Sequence, residues 1–123
     1  MSDTHTIIQD VRVLICAPDG NKLTTERDAL DLIGEAMQQG AEVVLIPVER
    51  LDEDFFHLKT RLAGQIIQKF VTYRLRLVIL GDISRYATQN HAFRNFVYET
   101  NRGNHVWFIT NLQELSERLK RTQ

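Results

Sequence analysis

The stretch from Val43 to Leu80 begins with the apolar run VVLIPV (residues 43–48) and ends with the apolar run LRLVIL (residues 75–80). An amphipathic segment of helix length lies between them. Similar β-branched and aliphatic runs occur at Val11–Cys16 and Val106–Ile109. Because strands that are joined by helices must cross over and pair in parallel, this alternation predicts a small layered α/β domain.

The size and the charge of the chain limit its possible functions. Its 123 residues suffice for one domain, and we predict that residues 1–123 form a single α/β unit. Lys and Arg number 15 against 16 Asp and Glu, a net charge of -1, which gives no general attraction to nucleic acids or anionic membranes. No apolar run approaches the roughly 20 residues that span a bilayer, and Met1–Gln9 lacks a signal-peptide pattern. The sequence therefore predicts a cytoplasmic protein without nucleic-acid or membrane partners.

The residues that commonly bind metals or perform catalysis form no recognisable motif. Cys16 is the single cysteine, and its place in an apolar run predicts a buried, inert thiol. The chain has no glycine-rich phosphate loop and no Gly-x-Ser-x-Gly nucleophile turn. The four histidines are too far apart in sequence for a spaced metal motif: His5, His57, His91 and His105. We therefore predict no catalytic residues, no metal and no cofactor.

Turn and cap signals define the first half of the chain. Gln9-Asp10 interrupts two apolar runs and predicts a tight hairpin at the edge of the sheet. A helix is predicted over residues 26–39, where Thr25 provides the N-cap and Gly40 a left-handed C-terminal cap.

The second half begins with the longest helical pattern in the chain, and we predict a helix over residues 53–73. Such a helix would be about 31 Å long, whereas a six-residue strand covers only about 20 Å. Gly64 lowers the helix propensity by roughly 1 kcal/mol relative to Ala. We therefore expect the first turn to overhang or break, with close packing or a bend near Thr60–Gly64.

Two further helices complete the prediction. The third contains Ala92–Val97 and is closed by Asn101–Asn104, with Gly103 as the left-handed residue. The last follows Asn111, which forms a capping-box pattern with Glu114. The predicted architecture is thus a mixed sheet of about five strands with an N-terminal hairpin and about four helices.

Several short motifs stand out along the chain: DFFHLKTRLAG (54–64), QKF (68–70), YR (73–74), GD (81–82) and NRG (101–103). With these motifs the chain resembles, over nearly all of its length, a small bacterial family that is known only as a domain of unknown function. The element order is also similar to that of STAS domains, the α/β modules of anti-sigma-factor antagonists and transporter tails.

The STAS resemblance implies a phosphorylation switch at the start of the second helix. Thr60 is the residue that matches this position, although Lys59 and Arg61 stand where the STAS pattern has an acidic and a small residue. A phosphate on Thr60 would gain charge-assisted contacts with both cations. The alternative is that the Thr60 hydroxyl simply bonds back to a backbone carbonyl.

The leading functional hypothesis is a non-enzymatic, STAS-like regulatory or protein-interaction module that also forms a homodimer. It follows from the element order and from the lack of catalytic motifs. We expect contacts through the sheet edge and through the second and third helices. The predicted partner-binding residues are Lys59, Thr60, Arg61, Gln65, Lys69, Glu99, Asn101 and Arg102.

The alternative is a small enzyme or small-molecule binder, because open α/β sheets bind ligands beyond the carboxyl ends of their strands. The residues predicted for this alternative site are Glu49, Asp82, Ser84 and Asn111. Two structural roles compete with it. Asp82 is also expected to cap the turn into the next helix, and Glu49 to pair with Arg50.

Overall fold

The apolar runs form neighbouring strands of one sheet in the computed structural model, which describes residues 3–122. The strands pair in chain order, with β1 antiparallel to β2 and all later neighbours parallel. This arrangement confirms the predicted mixed sheet with an N-terminal hairpin. The strands are β1 (Thr4–Ile8), β2 (Val11–Ile15), β3 (Val43–Pro47), β4 (Arg76–Leu80) and β5 (Val106–Ile109).

Five helices cover the sheet, four of them longer than two turns and one shorter. Right-handed crossovers between neighbouring parallel strands place the first four helices on one face of the sheet. The last helix covers the opposite face. The helices are α1 (Glu26–Gln38), α2 (Leu62–Thr72), α3 (Ser84–Gln89), α4 (His91–Asn101) and α5 (Leu112–Thr122). Among residues 3–122, no helix is both long and apolar enough to cross a membrane.

Two apolar cores lie on the two faces of the sheet, and alternate residues of each strand supply them. All five residues of β3 are buried, as predicted for a central strand. The first core joins the sheet to α1, α2 and α4, and the second joins it to α5. The first contains Leu14, Val44, Leu77, Phe108, Ile33, Ile66 and Phe93, and the second contains Val13, Leu45, Val78, Trp107, Leu115 and Leu119.

The predicted turns and caps of the first half are confirmed. Gln9 and Asp10 both have positive φ values, 51° and 63°, which a two-residue hairpin turn requires. The Thr25 side chain accepts the Asp28 N–H in a reciprocal capping box, and Gly40 has φ 75°. Local residue choices therefore fix the course of the chain up to the start of β3.

The predicted helix over residues 53–73 is wrong in its first half. The chain instead forms three short 3₁₀ turns, 48–50, 53–56 and 58–60, before α2 begins. Local bonds from side chain to backbone replace helical ones here, since the Asp52 carboxylate accepts the Asp54 N–H at 3.0 Å. Arg61 is left-handed, with φ 68°, and therefore interrupts any continuous helix. The break lies near the position where a bend was expected.

The predicted third helix is present as α4, but one detail of it needs correction. A short helix, α3, precedes it, and the Asn90 side chain caps α4 by accepting the Phe93 N–H at 3.1 Å. Gly103 does not have a positive φ value. The turn after α4 closes instead through tight backbone bonds, Arg102 N–H to Glu99 and Gly103 N–H to Thr100, which need no left-handed residue.

One side chain occupies the backbone groups of Phe108 at the outer edge of β5. Asn101 accepts the Phe108 N–H at 2.6 Å through Oδ1, and its Nδ2 donates to the Phe108 carbonyl at 3.3 Å. At Phe108 this amide takes the place of a neighbouring strand. At the other edge of the sheet, no strand pairs with the outer side of β1 in the described part of the chain. The two edges therefore differ in whether another strand can add to them.

We expect Asn101→Leu to lower the free energy of unfolding by about 1–3 kcal/mol, because the partly buried Phe108 amide and carbonyl would lose their partner. Urea unfolding measures this change. Asn104→Leu is the control, since the Asn104 side chain is exposed in the same loop, and we expect a change within about 0.5 kcal/mol. Equal losses in both variants would contradict the role that we assign to Asn101.

Candidate functional site

The carboxyl ends of β3 and β4 form an open hollow that contains two of the residues predicted for a ligand site. Glu49 and Asp82 both line this hollow, which has a volume of about 300 Å³ and also contains Lys22, Arg85 and Tyr86. Asp82 Oδ1 accepts the Ser84 N–H at 2.9 Å, and bonds from Ser84 lower the pKa of Asp82. The carboxylate is therefore ionised at neutral pH and is not a proton donor for catalysis.

The other two residues of that predicted site have structural contacts. Ser84 is the first residue of α3, next to Asp82. Asn111 caps α5 on the opposite face of the sheet, where its Oδ1 accepts the Glu114 N–H at 2.9 Å. Glu114 in turn accepts the Thr110 N–H at 3.0 Å, a variant of the predicted capping box. Within residues 3–122, no group of three His, Cys, Asp or Glu side chains is arranged to hold a metal ion.

Arg50 pairs with Asp3 and not with Glu49, which corrects the predicted pair. The two side chains approach to 3.4 Å, and both are largely buried. Arg50 also donates to the carbonyls of Ala17 at 2.8 Å and Asn21 at 2.5 Å. A Cβ at Gly20 would lie 2.6 Å from the Arg50 guanidinium carbon, so the loop needs glycine here. This contact connects the N-terminal strand to two loops and has a structural role.

The polar residues predicted on the second helix lie at its start and along one side. Thr60 donates its hydroxyl to the carbonyls of Asp54 and His57 and accepts the Leu62 N–H, so it binds the backbone as the simpler alternative predicted. It is the last residue of the third 3₁₀ turn, before α2, and does not lie inside an α-helix. Lys69 lies 4.0 Å from Glu26 of α1.

Two of these residues border a shallow apolar groove on the helix layer. The groove has a volume of about 610 Å³, and most of its exposed surface is apolar. Gly64 is the third residue of α2 and is exposed, and no atom lies within 4 Å of the position that a Cβ would take. The expected close packing at Gly64 is therefore wrong. The groove is lined by Glu26, Leu58, Arg61, Gly64, Gln65, Gln68 and Phe96.

The residues predicted near the end of the third helix do not form one surface with these. Asn101 is turned inward and holds both backbone groups of Phe108. Glu99 and Arg102 are exposed and lie 3.9 Å apart. Arg102 also lines a different cavity, beside α5. The predicted partner-binding set is thus divided between the groove and the C-terminal end of α4.

The sequence reasoning missed a group of arginines around the buried Trp107. The guanidinium carbons of Arg76 and Arg118 lie 4.5 and 4.4 Å from the centre of its ring. Cations near the end of the last helix are compatible with its dipole alone, so they indicate no further contact. One available signal was strand alternation, because Arg76 and Val78 share a face of β4 and Val78 pairs with Trp107.

Cys16 is fully buried, and burial raises the pKa of its thiol to about 12, with a smaller contribution from Asp3. Because the thiol stays protonated at pH 8, we expect iodoacetamide to alkylate the folded protein at least about 100-fold more slowly than the urea-unfolded chain. Mass spectrometry over time measures both rates. Similar rates in the two states would show that Cys16 is accessible and reactive.

Comparison with known protein families gives one informative result. The family model described as Domain of unknown function (DUF4180) matches residues 8–119. A search of curated proteins finds no significant match. A search of solved structures also finds none.

Proposed function

Because the chain belongs to the DUF4180 family, whose description assigns no activity, we propose its function from the geometry: a non-enzymatic regulatory or protein-interaction module with STAS-like topology. The groove on α2 and α4 is the proposed docking site for a partner protein. The order of strands and helices supports the likeness to STAS domains. A bacterial origin and a cytoplasmic location remain predictions from the sequence.

Gly64 is the observation that carries this proposal. Gly64 lies in the first turn of α2, where a glycine lowers the helix propensity relative to alanine by less than the roughly 1 kcal/mol of a helix interior. The fold does not require this glycine, since an added Cβ would meet no atom within 4 Å. A partner backbone that approaches α2 closely would require it, because only glycine leaves the helix surface open at this point. The groove around Gly64 is also apolar, as docking grooves for helices are.

The charges around the groove indicate an acidic partner. Lys59 and Arg61 are exposed, and neither has an ion pair within residues 3–122. Lys69 and Glu26 largely neutralise each other. We therefore propose an amphipathic helix that packs its apolar side on Leu58 and Phe96 and directs carboxylates toward the two free cations.

Thr60 offers a means of regulating this contact. It stands between Lys59 and Arg61 at the start of the groove, and its hydroxyl is bonded to local carbonyls. A phosphate on Thr60 would neutralise both cations and repel an acidic partner. Phosphorylation would therefore release the partner, in the manner of a STAS-like switch.

Two glycine variants test the groove. Gly34→Ala is the control, because Gly34 is also an exposed helical glycine, in the interior of α1, with no atom near a would-be Cβ. We expect Gly34→Ala to raise the free energy of unfolding by about 0.5–1 kcal/mol, and Gly64→Ala to raise it by less because Gly64 lies in the first turn of α2. Of the two glycine variants, only Gly64→Ala should weaken partner binding. Arg61→Glu should weaken it as well.

Binding is measured in two steps. Affinity capture is first carried out with wild type and with each variant. It selects proteins that bind wild type and Gly34→Ala but do not bind Gly64→Ala or Arg61→Glu. A synthetic peptide of the acidic helical segment of such a protein is then titrated, and we expect at least tenfold weaker binding to Arg61→Glu. If the peptide binds all variants equally, or if no retained protein carries such a segment, the groove is not the docking site.

The proposed homodimer forms through β1. This strand contains no charged residue and no proline, the usual protections of an exposed edge. A two-residue hairpin closes on a hydrogen-bonded pair, which here is Ile8 with Val11. Hydrogen-bonded and non-hydrogen-bonded pairs alternate along an antiparallel ladder, so the backbone N–H and C=O groups of His5 and Ile7 point away from β2. The Ile7 side chain is 63% exposed. A second copy of β1 in antiparallel orientation would satisfy this edge.

We expect wild type to dimerise weakly, with a dissociation constant on the order of 10 μM, because a five-residue edge buries little area. Ile7→Lys should make the protein monomeric, since paired edges would bring two lysines together. Sedimentation equilibrium measures the masses. Met37→Lys is the control, because Met37 is 53% exposed on α1 and its replacement should leave the dimer intact. A monomeric wild type at 100 μM would exclude this dimer.

A ligand site at the carboxyl ends of the strands, with Glu49, Asp82, Ser84 and Asn111, remains the alternative. The shared hollow of Glu49 and Asp82 supports it. It ranks second because Asp82 already accepts the Ser84 N–H in the turn before α3 and Asn111 already caps α5.

A further inference from the structure

A basic cavity lies on the α5 side of the sheet, beside Trp107. Its volume is about 320 Å³, and three of its lining residues are arginines, one at the end of α4 and two on α5. The lining consists of Arg102, Gly103, Asn104, Trp107, Glu114, Arg118, Arg121 and Thr122. No residue that lines the groove on α2 and α4 also lines this cavity. A role for the cavity is therefore independent of the proposed function.

Trp107 and its hydrogen bonds fix the wall of this cavity. The ring is only 1% exposed, and its Nε1 donates to the Gly103 carbonyl at 2.8 Å. Arg118 lies over the ring and donates to the Asn101 carbonyl. Arg76 also lies over the ring and donates to the Asn104 carbonyl at 2.8 Å. Two guanidinium groups are therefore held in place by contacts with neutral partners.

The positive charge of the cavity is only partly compensated. Three arginines against the single carboxylate of Glu114 leave a net charge of two in the lining. Glu114 uses one carboxylate oxygen for the Thr110 N–H and hydroxyl, and Arg102 is shared with Glu99 at 3.9 Å. Within residues 3–122, Arg76, Arg118 and Arg121 have no ion pair.

Arg76 and Arg121 both lie close enough to Arg118 to repel its positive charge. Burial lowers the pKa of Arg118 most, and Arg121 and Arg76 lower it further, against the opposing effect of Glu114. Cations that crowd together without enough counterions are stabilised by a bound anion. Guanidinium groups suit tetrahedral oxyanions in particular, because their planar N–H forks donate two parallel hydrogen bonds.

We propose that this cavity binds the phosphate group of a small phosphorylated molecule, with Arg102, Arg118 and Arg121 as its ligands. A phosphate dianion matches the net charge of the lining. The volume of about 320 Å³ accommodates a phosphate and a small organic group. The acidic balance of the whole chain opposes binding of a long polyanion, so the site takes a single phosphate group and not a nucleic-acid backbone.

Titration calorimetry with inorganic phosphate and with pyrophosphate tests this site, against sodium chloride at matched ionic strength. We expect binding of both anions to wild type. Arg121→Gln and Arg102→Gln should each weaken it at least about tenfold, and both residues are exposed, so the fold should be retained. Lys120→Gln is the matched control, because Lys120 adjoins Arg121 on α5 but does not line the cavity. It should change the affinity less than about twofold.

Three outcomes would overturn the proposal. The first is no heat of binding above the chloride control. The second is an equal loss in Lys120→Gln and Arg121→Gln, which would indicate a general charge effect. The third is binding of a single-stranded oligonucleotide at least tenfold more tightly than pyrophosphate, together with weaker oligonucleotide binding in all three variants. This result would indicate a nucleic-acid surface.

Discussion

The parallel strands lie side by side in the sheet in the same order as in the chain. This order places all the crossover helices on one face. Only α5 is left to cover the other face. A helix with its side chains is about 10 Å wide, whereas five strands span about 19 Å across the sheet. The apolar residues of α5, Leu115 and Leu119, therefore cannot cover the whole second core. The guanidinium groups of Arg76 and Arg118 lie over Trp107 in the remaining part. The basic cavity is thus a consequence of the strand order.

Most of the fold follows from local sequence signals. Apolar runs predicted β2 to β5, and the turn at Gln9-Asp10 and the Thr25 cap were predicted because each depends on neighbouring residues only. The 3₁₀ turns before α2 were not predicted, since Phe55 and Phe56 fit a helical stripe as well as they fit the buried turn. The pair of Arg50 with Asp3 joins residues 47 positions apart, and no local pattern indicates such a contact.

The candidate site was less predictable than the fold, because it depends on which residues the fold leaves exposed. Gly64 stood out in the sequence, but its low helix propensity suggests a bend or close packing as readily as an open surface. Asn101 looked like a surface residue, and only the position of Phe108 shows that it is a structural one. Arg102 was selected for one surface and lies at another.

The single amide of Asn101 also determines how large an assembly of this protein can become. A sheet with two free edges can add copies at both ends and grow into a filament. Here the Asn101 amide occupies the Phe108 backbone groups at one end, and in the dimer that we propose the other end pairs with the same end of a second copy. Such a contact uses up the free edge of both molecules at once, and growth by strand addition therefore terminates after a single step.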